Sequence, residues 1–372
     1  MPNPTMAAGY PRALLDFAVS RGADRQTLIE RSGIRPDDLK NQDNRIPLAN
    51  YLALLKAGIE LCNEPALSLL FGEAVRLQDI SLVGLIGVAV DNVESVRRQM
   101  NRYAPLTLDA DDGGTADAAE FVRENGDVWL KSTSDIYIAN PLLTEGAFAR
   151  SVCGARTLLQ SMPNFASLTF PKAIRFTHAE PTYRAEYDRI FGVPLFFGSH
   201  MNALLIDEAF LNLKLPRTNP YLSEVLSARA EELLKDLESS KTTRGKVEKL
   251  LAPNLHTGAV SVDLIAHQLG VSRQTLFRRL KAEGVTFGKV LDELRHTIAL
   301  KYLRDKKLSV NETAYRWIFG SSRILSRVQA VDRTQPTQDA PERFPAQPSL
   351  DQETQLQPNP VRSCIHASAL QT

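Results

Sequence analysis

At 372 residues, with 43% hydrophobic and 23% charged residues, the chain is long enough to bury two cores, and its formal net charge of +1 means that any basic surface must be local. No apolar run approaches the roughly 20 residues of a membrane span, and MPNPTMAAGY lacks the basic-then-apolar order of a secretion signal, so no membrane partner and a cytoplasmic location are expected. Cys62, Cys153 and Cys364 fit neither a disulfide framework nor a zinc spacing, which excludes a disulfide-stapled or zinc-built fold and leaves Cys62 and Cys153 as small core residues.

Helical spacing of apolar residues predicts helices over 10–21, 51–62 and 93–103. The stretch FVRENGDVWLKSTSDIYI reads as two extended segments around Asn125-Gly126, a hairpin pair. Residues 142–162 return to helix, 173–178 to strand, and 183–191 to a helix ended by Gly192. Helix 221–237 carries Leu222, Val225, Leu226, Ala230, Leu233, Leu234 and Leu237 along a stripe that can pack in the core or against a second copy, so a homodimer is an expectation. The polar run ESSKTTR (238–244) is the linker candidate. An α+β domain over 1–238 follows, joined through 239–244 to what comes next.

This first domain offers little chemistry. It has no Gly-rich phosphate loop, no G-x-S-x-G elbow and no H-E-x-x-H, so no enzyme, cofactor or metal is expected. His178 lies near Glu180 and Arg175, and Cys153 could be imagined as a nucleophile with it. The plainer reading makes His178 a strand-end residue with one hydrogen bond and Cys153 a helix residue packed beside Val152 and Ala155.

SVDLIAHQLGVSRQTLFRRLKAEG (261–284) is the most informative stretch. Val262, Ile265, Ala266 and Leu269 share one helix face; Gly270 supplies a left-handed turn, and Val271 fills the interhelical angle. Ser272 is the expected cap of a second helix, 273–283, that buries Leu276, Phe277 and Leu280. Its other face presents Arg273, Gln274, Thr275, Arg278 and Arg279, with the side-chain types that pair with guanine, adenine or phosphate. Any two short amphipathic helices around a Gly would look similar. The charge decides between the readings: residues 261–316 hold eleven Lys/Arg against six Asp/Glu, the footprint of a phosphate-facing surface. Ser272, Arg273, Gln274, Thr275, Arg278 and Arg279 are therefore the candidate contacts to double-stranded DNA.

Downstream, Phe287, Val290, Leu291, Leu294, Ile298, Ala299, Tyr302 and Leu303 repeat at helical intervals, predicting one long helix. Ser309 and Glu312 form a capping box for a short helix, 310–316, where a second bihelical unit begins.

VSVDLIAHQLGVSRQTLFRRLKAEGVTFGKVLDELRHTIALKYL, followed by LSVNETAYR, resembles the AraC/XylS family of bacterial transcription activators. The family's DNA-binding domain is two helix-turn-helix units joined by a linker helix, implying a domain over 245–316 whose recognition helices enter successive major-groove segments about 34–36 Å apart. IPLANYLALLKAGIELCNEPALSLLFGEAVR and RFTHAEPTYRAEYDRIFGVPLFFGSHMNALLI more loosely resemble the effector-binding domain of a subgroup that includes ornithine- and arginine-related regulators. The resemblance implies a small-molecule effector, an amino acid or related metabolite, and RNA polymerase as a partner. Trp129, Tyr137, Arg175 and His178 are the candidate pocket liners, though a purely structural role is the first reading of each.

The family continues with a Gly-Phe-Ser turn and a helix of the form SxFSRAFKRW, whereas this chain reads WIFGSSRILSRVQAVDRTQP from Trp317. Read one base later with synonymous codons chosen freely, the codons of 317–336 permit GFSDPAAFSRAFKRWTGRSP. Trp317 before Ile318 then forces Gly, and Gln329 before Ala330 forces Lys or Arg, both at positions that fit the family pattern. A frameshift near 317, an incomplete second helix-turn-helix and an aberrant tail over 317–372, Gln- and Pro-rich and disordered from 335, are expected. The function expected is a DNA-binding transcription factor responsive to a metabolite; the alternative is an effector-binding, dimerising protein, defective in DNA binding, that titrates partner subunits.

Overall fold

The computed structural model describes residues 4–110, 118–162, 168–211, 213–215, 219–257 and 261–304. The expected helix 310–316, the junction at 317 and the tail lie outside the described residues. One compact unit takes Met1–Asn254 with Ala259–Val290, and a second takes Leu255–Gly258 with Leu291–Thr372.

The first unit opens with β1 (Thr5–Ala7), α1 (Gly9–Ser20), α2 (Arg25–Ser32), β2 (Arg45–Pro47), α3 (Leu48–Leu61), α4 (Leu67–Ala74), α5 (Leu77–Ile80), α6 (Leu82–Val88), α7 (Val93–Thr107) and β3 (Leu108–Asp109). Strand β1 is central in a three-stranded antiparallel sheet, with Met6 opposite both Ile46 and Leu108. Leu14, Leu15, Leu28, Ile46, Leu54 and Leu55, all spaced for one face of their elements, close the core beneath it. Arg45 clips the sheet to the end of α7: its Nη2 and Nε donate to the carbonyl and hydroxyl of Thr5 at 2.7 and 3.1 Å, and its Nη1 to the Leu106 carbonyl at 2.6 Å.

A second group follows: β4 (Ala119–Glu124), β5 (Asp127–Ser132), α8 (Asp135–Ala139), α9 (Pro141–Gln160), β6 (Ala173–Arg175), α10 (Arg184–Phe191), β7 (Leu195–Phe196), β8 (Ala203–Ile206) and α11 (Glu208–Leu211). The hairpin expected at Asn125-Gly126 is present, with φ of 55° and 86° at the two turn residues, as a primed turn requires. The five strands run in the order β4-β5-β8-β6-β7, antiparallel except for the β6–β7 pair. Alternation sorts their side chains: Val128, Ile174, Leu204 and Ile206 pack on α9 and α10, while Trp129, Ala173 and Ala203 share the opposite face. The architecture is the expected α+β fold followed by helices.

Three local expectations change. Residues 135–139 are helical, because Ile136 and Tyr137 turn into the first core where an extended segment would have pointed one of them to solvent. Strand 173–178 stops at Arg175; the Thr177 amide instead donates to Asn202 Oδ1 at 2.8 Å. The polar run 238–244 is not irregular. α12 (Pro220–Lys241) continues through it, with Ser239 and Ser240 hydroxyls bonded back to the carbonyls of Asp236 and Leu237 at 2.9 and 2.7 Å, and α13 (Thr243–Leu251) starts after the single residue Thr242.

The apolar stripe of α12 is split. Ala230, Leu226, Leu233 and Leu234 pack on Leu82, Val83, Ile86 and Tyr103 of α6 and α7, whereas Tyr221, Leu222 and Val225 are 71%, 44% and 45% exposed. Tyr103 donates to Glu231 at 2.6 Å, and Lys241 pairs with Asp109 at 2.7 Å.

Glu145 of α9 is 1% exposed. Its Oε2 accepts from the hydroxyls of Tyr187 at 2.5 Å and Tyr183 at 3.0 Å, and its Oε1 has no partner among the described residues. Burial raises its carboxyl to about 7, against the opposing pull of the Tyr187 and Tyr183 hydroxyls. A carboxyl whose folded pKa is raised stabilises the fold fully below its unfolded value, and that contribution is lost as pH rises through the folded value. Stability should therefore fall between about pH 4.5 and 7, by at most about 1.4 kcal/mol per pH unit from this group. Chemical denaturation of Glu145→Gln should remove that slope; an unchanged slope would show that Glu145 does not titrate there.

Candidate nucleic-acid interface

The helix-turn-helix is built as its sequence dictates. Ser261 caps α14 (Val262–Gln268), its Oγ accepting from the Leu264 amide at 3.1 Å. Gly270 stands at φ 65°, a conformation in which a Cβ would be strained, and lets the Val271 amide return to the Ala266 carbonyl at 3.0 Å. Ser272 caps α15 (Arg273–Ala282): its Oγ accepts from the Thr275 amide at 3.1 Å and lies 2.9 Å from the Thr275 hydroxyl. α13 packs on both helices, and Val247, Leu251, Ile265, Ala266, Leu276 and Leu280 are all buried.

This packing orients the other face of α15 outward. Arg273, Gln274, Arg278 and Arg279 are exposed, Ser272 is exposed at the N-terminus, and Thr275 is half-buried. The guanidinium of Arg273 lies 3.3 Å from the Asp263 carboxylate and 5.4 Å from the Phe277 ring centre. Both partners are exposed, so this is a weak pair that holds Arg273 beside α14. Phe277, expected in the core, is 41% exposed. Leu276 and Leu280 lie one above the other on the inward ridge, and position 277 is turned about 100° from that ridge. The sequence signal that could have placed it outside is its four-residue spacing from Arg273.

The C-terminal end of α15 meets the start of α13. Glu283 accepts from the Thr243 amide at 2.6 Å and the Arg244 amide at 2.9 Å, and the Thr242 hydroxyl accepts from Gly245 at 2.9 Å. Three of the amides orphaned at a helix start are thus satisfied, two by a side chain from another helix. Burial pushes the Glu283 carboxyl up, but the amides of Arg244 and Thr243 and the Thr243 hydroxyl outweigh it and hold it below the usual carboxylate range. α12 and α13 meet so closely that a Cβ on Gly245 would sit 1.9 Å from the Ser239 carbonyl oxygen.

The four candidate effector contacts do not form one pocket. Trp129 is 3% exposed, covered by the Arg175 guanidinium at 4.0 Å from its ring centre; Arg175 is also bonded to Glu124. His178 sits against Phe176, Tyr187 and Phe197, with Nδ1 on the Ala179 carbonyl at 2.8 Å, and burial lowers its pKa. Tyr137 belongs to the first core, where burial raises its pKa to about 12. Trp129 and Arg175 are therefore brought together while Tyr137 and His178 lie in other clusters, and the buried Trp129 Nε1 has no hydrogen-bond partner among the described residues. Burial raises the Cys153 thiol, the opposite of an activated nucleophile.

Comparison with known proteins places both parts. Residues 22–215 match the family model for the arabinose-binding domain of AraC transcription regulators, N-terminal, and residues 265–329 match a helix-turn-helix domain model. The chain is 24% identical over 324 residues to the ornithine utilization regulator of Pseudomonas aeruginosa, covering 86% of this chain and 91% of that one. It is 24% identical over 322 residues to the HTH-type transcriptional regulator VirS of Mycobacterium tuberculosis, covering 84% and 89%. The solved structure of transcriptional regulator CdpR from Pseudomonas aeruginosa is 22% identical and covers 83% of this chain and 92% of that one, with a TM-score of 0.37. Among the described residues no helix is long and apolar enough to cross a membrane.

Replacing Glu283 by Ala should cost about 1 kcal/mol through loss of the α13 cap. Because the folded pKa of Glu283 is lowered, this contribution is present above the usual carboxylate value and fades as pH falls through the folded one. Thermal unfolding at neutral pH and at low pH checks both statements: the difference between wild type and variant should be larger at neutral pH, and equal differences would refute the capping role.

Proposed function

Because the chain belongs to the family of AraC transcription regulators, we propose that it grips promoter DNA through α15, with Ser272, Arg273, Gln274, Thr275, Arg278 and Arg279 as its contacts. It is a DNA-binding transcription regulator with an N-terminal effector-binding domain. The observation that carries the assignment of the contacts is the outward row of Arg273, Gln274, Arg278 and Arg279 on a helix whose inward ridge is filled by Leu276 and Leu280. Arg side chains suit guanine and phosphate, and Gln suits adenine. Phe277 joins the set as an apolar contact for a thymine methyl group, since it is exposed beside Arg273.

The finer partners follow from the same reading. The N-terminal domain senses a small metabolite; the relative named for ornithine utilization directs that choice towards amino acids and their relatives. Tyr221, Leu222 and Val225 form the contact of a homodimer, because they are the exposed remainder of a stripe whose other half is buried. The protein acts in the cytoplasm, works with RNA polymerase and catalyses no reaction. The domains divide as 1–238, 239–244, 245–316 and 317–372, the 239–244 segment being a tight helix–helix junction. A frameshift near 317 has removed the second recognition helix, and sequencing the coding DNA at codons 316–318 checks this.

Arg278→Ala combined with Arg279→Ala should abolish promoter binding in gel-shift assays at about 150 mM salt. Any residual binding should show a log–log salt slope shallower by about 1 for each phosphate that is no longer neutralised. A footprint unchanged from wild type would sink the assignment of α15. A dimerising protein that only titrates partner subunits would instead sediment as a dimer with no salt-dependent DNA binding in either form.

A further inference from the structure

The corner where α12 turns into α13 lines, with the first sheet, a solvent-open cavity of about 170 Å³. This is smaller than the roughly 300–1,000 Å³ of pockets that take drug-sized ligands, so it suits a small metabolite. Leu82 and Val83 of α6 and Leu233 and Leu237 of α12 supply apolar wall. The remaining wall carries both signs of charge: Arg45 and Lys249 against Asp43 and Asp236.

These charges are only partly matched within the protein: Arg45 also interacts with the Asp109 carboxylate, and Lys249 and Asp236 are exposed. Arg45 spends three N–H groups on Thr5 and Leu106, and a guanidinium has five. Burial brings its pKa down to about 10, so it stays cationic at neutral pH. Lys249 and Asp236 have no ion-pair partner among the described residues, and Asp43 has only a 3.7 Å approach from Arg229. A simple anion in this cavity would face two carboxylates, and a simple cation would face a guanidinium and an ammonium. A ligand with both signs, a short distance apart, complements the whole wall.

We propose that the cavity binds a small zwitterion of the α-amino-acid class, its carboxylate on Arg45 and Lys249 and its ammonium on Asp236 and Asp43. This names the effector site of the metabolite-sensing domain and rests on that reading. Its position supplies the coupling. Arg45 lies on β2 of the sensing domain, Asp236 on α12 and Lys249 on α13, so one bound molecule bridges all three. The start of α13 is in turn held by Glu283, at the end of the recognition helix. Whatever fixes α13 on the sheet therefore biases the placement of α15, and by linkage operator DNA must change ligand affinity by the same factor.

Calorimetry on the full chain tests this with L-ornithine and L-norvaline, and with valerate and pentylamine as analogues that each lack one pole. The amino acids should bind, and each single-pole analogue should bind about tenfold or more weakly, the loss expected for a charge-assisted contact. Lys249→Ala should weaken amino-acid binding by a similar factor. Leu237→Trp, which fills the cavity from α12, should abolish it with the circular dichroism spectrum retained. Amino-acid binding that survives both substitutions would overturn the site while leaving the sensing role intact. Absence of binding by both amino acids to wild type would overturn the proposed ligand class. Operator gel shifts without ligand, run in parallel, report separately on the DNA-binding reading.

Discussion

The carboxylate of Glu283 is the tie on which the arrangement of the C-terminal part depends. It lies just past the recognition helix and accepts from the first two amides of α13, the helix that continues from α12 across the single residue Thr242. A helix start carries a partial positive charge and unsatisfied donors, so an anion placed there is held by both. The recognition helix is thereby fastened at its end to an element whose other neighbour, α12, packs on α6 and α7 of the sensing domain. Lys241–Asp109 and Tyr103–Glu231 secure that second contact. α12 thus links the first sheet to a helix that is bonded to the end of α15.

The same device recurs with opposite charge elsewhere. Arg156 of α9 donates to the carbonyls of Ile190, at 2.9 Å, and Phe191 at the end of α10, and to Phe170 at 2.8 Å. Arg45 does so for Leu106 near the end of α7. Cations at helix C-termini and an anion at a helix N-terminus each satisfy groups that no backbone partner reaches, and each joins elements far apart in the chain. Glu145 stands apart from this pattern, because among the described residues its buried carboxyl has only tyrosine hydroxyls for hydrogen-bond partners. Burial is the physical reason for its raised pKa, and the two hydroxyls only partly oppose it.

The chain as a whole is close to neutral, and the proposed attraction to a duplex rests on the basic face of α15. Arg273, Arg278 and Arg279 owe their exposure to two leucines, Leu276 and Leu280, which consume the inward side of a helix of ten residues. With only two inward ridge positions, α15 leaves even Phe277 on the surface. A short helix supported on one side and bare on the other is the geometry that a major groove can accept.

Several helix starts and stops and the hairpin turn were determined by sequence alone, because each rests on a local rule. Ser261 and Ser272 cap, Gly270 and Gly192 turn left-handed, and Asn125-Gly126 demands a primed turn whatever surrounds them. The basic face of α15 was legible for the same reason: side chains three and four apart must share a side. Tertiary structure alone decided the rest, since packing partners are not written in periodicity. It turned Phe277 outward, divided the α12 stripe between core and surface, drew the polar run at 238–241 into helix, and stacked Arg175 on Trp129 while sending Tyr137 and His178 to other clusters. It also brought Glu283 to α13, and Lys249 to the cavity that Arg45 lines, pairings of residues about 40 and 200 positions apart that no local rule of spacing can reach.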